Sequence, residues 1–324
     1  MQPTNKTFTY ADGINIVDEE NGKTIITDNN IHYDVDEGYY WWFGVDVTYH
    51  FPGNGRDVTL AYEGLHGSSS DSIAPAVGGA DNFSFNTPGS AVVLVSDFTG
   101  VPYNTASAET ETRYDAGDLL FGQQLDVGKR IGLHPFVGLR YAHINISDSA
   151  TYFSPSLKIF DDSPTTENSK LDNEFNGIGP RLGSDAEINL GGGFSVRARL
   201  GLSALIGSGR VDTDATLTTP GSATGNPGVF YITDDTDAQT RVIPEIDGRL
   251  GLNYTHQFDT MALGLELGWQ AENYFNVIGD QYPVVVPLPG TSKGNTALQG
   301  NQHYESTANF GMQGPYARVQ LDLA

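Results

Sequence analysis

Apolar and polar residues alternate with a period of two along much of the chain. From 194 to 206 one parity reads Phe194, Val196, Ala198, Leu200, Leu202, Ala204, Ile206; the other reads Ser195, Arg197, Arg199, Gly201, Ser203, Leu205. From 261 to 271, Met261, Leu263, Leu265, Leu267, Trp269 and Ala271 share one face, opposite Ala262, Gly264, Glu266, Gly268 and Gln270. Successive side chains of a strand point to opposite sides of a sheet, so this period predicts ribbons with one greasy and one polar face. The same pattern marks 4–10, 39–51, 58–62, 118–128, 135–144, 178–190, 242–254 and 316–323, which makes about ten strands. No segment carries a helical period.

The connections alternate in length. Strands two and three meet over Pro52, Gly53, Asn54 and Gly55, and strands six and seven over Gly191, Gly192 and Gly193. The joins near 128–130 and 256–260 are equally short and rich in turn residues. The other five connections, roughly 11–37, 65–113, 147–173, 207–238 and 272–304, are long and polar. Short turns on one side and long loops on the other are the layout of an all-β, transmembrane, antiparallel up-and-down barrel, with short periplasmic turns and long external loops. Pairing of 82–86 with 91–96 inside the second long loop would raise the count to twelve strands. The whole of 1–324 reads as one barrel domain. Tyr39, Tyr49, Phe51, Tyr254, Trp269 and Tyr316 lie near strand ends, where interfacial aromatic girdles are expected. The competing fold is a soluble sandwich or lipocalin-like barrel, whose strands also alternate.

Composition narrows the field. The 324 residues hold no cysteine, 39 Gly, 16 Phe, 16 Tyr and 3 Trp, and 40 Asp+Glu against 17 Lys+Arg, a formal charge of −23. Thiol chemistry and cysteine-ligated zinc are excluded. The acidic surplus argues against a nucleic-acid partner. No apolar run exceeds five residues, so no transmembrane helix is encoded. The aromatic content excludes a disordered chain. The opening residues show no basic n-region and no apolar h-region, so the chain is either cytosolic or a mature or trimmed form.

Several stretches resemble the pore-forming major outer-membrane protein family first described in Legionella: RIGLHPFVGLRYAHI at 130–144, FNGIGPRLG at 175–183, PEID at 244–247, LELGW at 265–269 and NFGMQGPY at 309–316. The resemblance runs in order from about residue 37 to the C-terminus. It implies a porin-like, abundant protein of a Gram-negative-type outer membrane that admits small solutes, with lipid and lipopolysaccharide around it and no enzymatic activity. It also implies that strand one starts halfway, because members carry a full strand before the equivalent of Gln2, Pro3 and Thr4. The ending Leu321-Asp322-Leu323-Ala324 lacks the C-terminal aromatic usual in such barrels, which points to trimming there too.

The polar parity then becomes the lumen wall. Its candidate lining residues are Asp118, Asp126, Arg140, Arg181, Asp185, Glu187, Arg197, Arg199, Glu245, Asp247, Arg249, Glu266 and Arg318, with Asp46, Glu63 and Asp322 on the same parity. Arg181, Arg197 and Arg199 are expected to pair with Asp185, Glu187 or Glu266. Acids outnumber arginines on this wall, so an open lumen should mildly prefer cations in ion transport. Ten strands sit near the narrow end of the barrel range, where side chains can fill the interior. A closed-lumen structural or adhesive protein, whose acidic loops contact neighbouring copies, a surface layer or host molecules, is therefore the alternative. The loop acids, Asp161-Asp162 and Asp234-Asp235 among them, could take calcium, but no spacing matches a known calcium loop. No cofactor, catalytic or metal site is expected. There is no Gly-x-Ser-x-Gly and no His-Glu-x-x-His. The glycines of 177–183 lie in a strand and are interrupted by Pro180, unlike a nucleotide loop.

Overall fold

The computed structural model describes residues 1–4, 8–20, 23–73, 83–84, 105–128, 130–157, 163–219, 228–235, 238–281 and 305–323. All regular structure in these residues is β, and no helix occurs among them. The strands are β1 (Gln2–Pro3), β2 (Phe8–Glu20), β3 (Lys23–Val35), β4 (Trp42–His50), β5 (Arg56–Ile73), β6 (Phe83–Ser84), β7 (Thr105–Gln123), β8 (Leu125–Val127), β9 (Ile131–Leu157), β10 (Ser163–Gly191), β11 (Phe194–Thr219), β12 (Gly228–Asp235), β13 (Gln239–Gln257), β14 (Met261–Gln281) and β15 (Glu305–Leu323). The main sheet runs β1-β15-β14-β13-β11-β10-β9-β7-β5-β4, with β12 on β11 and β8 on β9, while β3-β2-β6 form a separate sheet. Every pairing is antiparallel, and each long strand pairs with its sequence neighbours, the up-and-down order that the alternating connections predict.

The strand ends where turns are short carry glycines at positive φ: Gly53 and Gly55 at +79° and +65°, and Gly191, Gly192 and Gly193 at +92°, +65° and +85°. These conformations suit tight hairpins and exclude most side chains.

Two expectations are corrected. Strand one is not 4–10. Only Gln2 and Pro3 join the main sheet, opposite Gln313 and Met312, and the chain leaves at Thr4, whose N–H donates to Gly311 O. Residues 8–20 instead hairpin with 23–35 in the small sheet. Likewise Phe83 and Ser84 add to β2 and do not widen the barrel, and 91–96 lies outside the described residues.

The long connections are also shorter than the pattern implied, because the strands continue into them. β10 has 29 residues, about three times the 9–11 that cross a bilayer. Its two halves have opposite polarity. Low on the strand, Ile178, Leu182, Ile188 and Leu190 face outward and are exposed, while Arg181 is buried inside. Higher up, the same outward parity reads Asn168, Lys170, Asp172, Glu174 and Asn176, and the inward parity is buried Leu171, Asn173 and Phe175. β9 and β11 switch in the same way. The pleat never breaks; the solvent outside it changes from hydrocarbon to water, and the residue types exchange faces accordingly.

The sheet curls until its ends meet. The Met1 amine donates to Tyr40 O at 2.6 Å, and Tyr40 N–H donates to Met1 O at 2.7 Å. Residues 1–4 thus join the middle of β15 to the segment entering β4. Below that junction β4 and the lower part of β15 flank each other without a described backbone ladder. Among the described residues one ion pair joins them, Arg318 Nη2 to Asp46 Oδ2 at 2.7 Å.

Candidate functional site: the lumen

Three layers fill the interior, and the register of the strands explains each. The top layer is apolar. Tyr114, Ala142, Ile144, Phe175, Leu205, Ile243, Tyr274, Phe310 and Met312 form one buried cluster with Met1 and Leu65. These residues come from the inward parity at and beyond the upper edge of the greasy belt, where the outward residues turn polar and the apolar core lies inside.

The middle layer is ionic. Arg140 on β9 is 2% exposed and Arg181 on β10 is 1% exposed. Arg140 clamps Asp118 with two bonds, Nε to Oδ1 at 2.7 Å and Nη2 to Oδ2 at 3.0 Å. Its Nη2 also donates to Glu63 Oε1 at 2.7 Å, and its Nη1 to Glu245 Oε1 at 3.1 Å and to Glu272. Arg181 Nη1 donates to Ser203 Oγ at 3.0 Å and Glu245 Oε2 at 3.1 Å, and its Nη2 to Asp247 Oδ2 at 2.6 Å. Tyr114 and Tyr274 cap the layer: their hydroxyls are 3.0 Å apart, and both lie within reach of Glu272 Oε1. Guanidinium forks suit such shared carboxylates better than ammonium groups would. A side chain at Gly201 would collide with Asp247 Oδ2 and Arg181 Nη2, so this inward glycine makes room for the pair. Five carboxylates, Glu63, Asp118, Glu245, Asp247 and Glu272, meet two guanidiniums here.

The bottom layer is a wetter, charged vestibule. Arg197 donates from Nε to Glu187 Oε2 at 3.1 Å and from Nη1 to Gln320 Oε1 at 2.7 Å, with Glu266 Oε2 3.6 Å away. Arg199 Nε lies 3.8 Å from Asp185 Oδ1. His134 bridges two acids, with Nε2 2.7 Å from Asp57 Oδ2 and Nδ1 3.4 Å from Asp185 Oδ2. Asp185 and Glu187 keep about two-fifths of their side-chain surface exposed.

Twelve of the thirteen lining residues expected from the sequence join one of the two polar layers. Asp118, Arg140, Arg181, Glu245 and Asp247 meet in the middle layer; Asp185, Glu187, Arg197, Arg199, Arg249, Glu266 and Arg318 belong to the vestibule. Asp126 holds the inward parity on β8 but is exposed at the lower rim. The expected pairing of Arg197 and Arg199 with Glu187, Glu266 and Asp185 is found, while Arg181 pairs instead with Glu245 and Asp247. Tyr316 is not a girdle residue: it shares the parity of Arg318, is 8% exposed, and donates its hydroxyl proton to Glu266. Glu272 and Tyr274 escaped the sequence reading because the strand was ended at Ala271; continuing the parity of Glu266 and Gln270 would have found both.

The outside of the lower half is greasy. Leu200, Leu202, Leu265 and Leu267 are 54, 43, 49 and 56% exposed, with no second layer of described residues over them. Trp41, Tyr39, Tyr49, Phe51, Tyr254, Phe258 and Trp269 are exposed around this band. A soluble protein rarely exposes so continuous an apolar belt. These features define the class, a transmembrane antiparallel β-barrel of the outer-membrane type. The model of the Legionella pneumophila major outer membrane protein precursor family matches residues 1–323, and the chain belongs to that family of outer-membrane proteins. No curated protein and no solved structure matches it.

Proposed function

We propose that this barrel is a porin-type conduit that rests closed and passes small solutes, with a mild preference for cations, when its ionic layer rearranges. The observation that carries the reading is the charge imbalance of that layer. Apolar packing would close a lumen more cheaply than two buried guanidiniums, since replacing buried ion pairs by apolar groups is often neutral or stabilising. A five-to-two excess of carboxylates over guanidiniums in that layer favours entering cations. Bound lipid and lipopolysaccharide would surround the greasy belt and the strand extensions above it.

A second reading rests on the apolar top layer. A filled cylinder that only anchors external sheets, for contact with neighbouring copies, a surface layer or host molecules, would need such a core and no path. Planar-bilayer recording separates the two. Small current steps whose reversal potential in a salt gradient shows cation preference, shifted toward zero by Glu272→Gln, support the conduit. Silence, with ordered arrays of the purified protein, supports the structural role, and anion preference overturns the selectivity argument.

A further inference from the structure

The vestibule contains a row of inward residues linked through the register of five strands. His134 lies opposite Asp185, Asp185 opposite Arg199, Arg199 opposite Arg249, and Arg249 opposite Gln270. Two arginines therefore stand directly across one strand pair, an arrangement that repels unless something sits between them. Their flat faces are occupied: the Arg199 guanidinium carbon lies 4.6 Å from the centroid of the Phe136 ring, and that of Arg249 lies 5.9 Å from the Tyr316 ring. Among the described residues neither guanidinium has a hydrogen-bond acceptor.

The nearby acids are engaged elsewhere. Asp247 is held by Arg181 at 2.6 Å, Glu187 by Arg197, Glu266 by Arg197 and Tyr316, and Asp46 by Arg318. Asp185 is shared with His134 and reaches only Nε of Arg199, at 3.8 Å. Among the described residues Arg249 has no carboxylate within ion-pair distance, and neither terminal nitrogen of Arg199 has one. In a chain with 40 acidic and 17 basic residues, the acid beside these two opposed guanidiniums, Asp185, is shared with His134.

We infer that Arg199 and Arg249 form a binding site for a small oxyanion, the phosphate or carboxylate group of a soluble solute entering the vestibule from its lower, short-turn end. Guanidinium forks on adjacent strands, opposite each other in register, can each give parallel N–H···O bonds to an oxyanion, whose charge offsets their mutual repulsion. The aromatic rings beneath hold the forks in place. The ligand is soluble and not a lipid headgroup, because the parity that carries both arginines faces inward while Leu200 and Leu250 beside them face the hydrocarbon. Conduction is not required, since a closed barrel would hold the anion equally well.

The test is titration of inorganic phosphate into the purified, detergent-solubilised protein at low salt, followed by calorimetry and by thermal unfolding. The expected result is saturable binding of one phosphate per chain and a rise in melting temperature. Arg249→Gln and Arg199→Gln should each weaken binding at least tenfold, and Arg249→Lys, which keeps the charge without the fork, should weaken it severalfold. Arg210→Gln, on the outer face of β11, the strand of Arg199, should change nothing. The inference is overturned if phosphate does not saturate, if Arg210→Gln weakens binding as much as Arg249→Gln, or if phosphatidylglycerol binds in an Arg249-dependent way while phosphate does not. Should the Gln variants fail to fold, Arg249→Lys against Arg210→Gln decides it alone.

Discussion

Arg140 and Arg181 are buried among more acid than they can neutralise, and their neighbours are therefore not equivalent. Truncating Arg140 strands Asp118, Glu63, Glu245 and Glu272 together without their shared donor, while neutralising Glu272 relieves a surplus. Breaking a buried pair by removing one partner typically costs about 3–5 kcal/mol. Arg140→Met is expected to lower stability by about that much, and Glu272→Gln to be near neutral or stabilising. Urea unfolding in detergent micelles, read by tryptophan fluorescence, checks the asymmetry; equal losses would mean that the layer is balanced by charges other than those named. The residue scale also shows what the sequence could tell. Arg140, Arg181 and Asp118 were placed on the lumen wall by parity alone, but their grouping was not readable, because which inward residues meet across the lumen depends on curl and stagger. Arg140 on β9 meets Glu272 on β14, 132 positions away.

The long strands explain why the loops were overestimated. A strand crossing a bilayer is recognised by apolar residues on one parity. In β9, β10 and β11 that parity turns polar above the belt and the opposite parity turns apolar, so a search for a constant greasy face stops at the waterline although the strand does not. Both halves alternate; only the surrounding medium differs. One consequence is measurable on β11. Leu200 lies midway between the ends of the belt and Ser208 on the same outward parity above it, both exposed. Leu200→Arg should destabilise by about 2–4 kcal/mol, the range for arginine at the bilayer midplane, and Ser208→Arg should stay within about 0.5 kcal/mol, as for ordinary surface changes. Reversible unfolding in liposomes provides both values. Equal effects would place the hydrocarbon boundary elsewhere.

At the scale of the whole molecule, the short turns lie at one end and the extended sheets at the other, which fixes a sidedness. The chain has no cysteine, so single introduced thiols report without background. Glu174→Cys, outward and exposed on the upper half of β10, should react with a membrane-impermeant maleimide on intact cells. Asn54→Cys, exposed in the short turn between β4 and β5, should react only after the outer membrane is permeabilised. The reverse pattern would invert the barrel.

The all-β character, the up-and-down order of the strands and the inward parity of most of them are legible in the sequence. Those facts are local: period two, turn residues and loop lengths are written within a few positions of where they act. Tertiary structure alone decided that the lumen is filled in three layers, that five carboxylates converge on two arginines, that Tyr316 turns inward, and that residues 1–4 join the sheet's ends at mid-height. These depend on the curl and stagger that bring distant strands across the lumen from one another, and no short stretch of sequence encodes that distance.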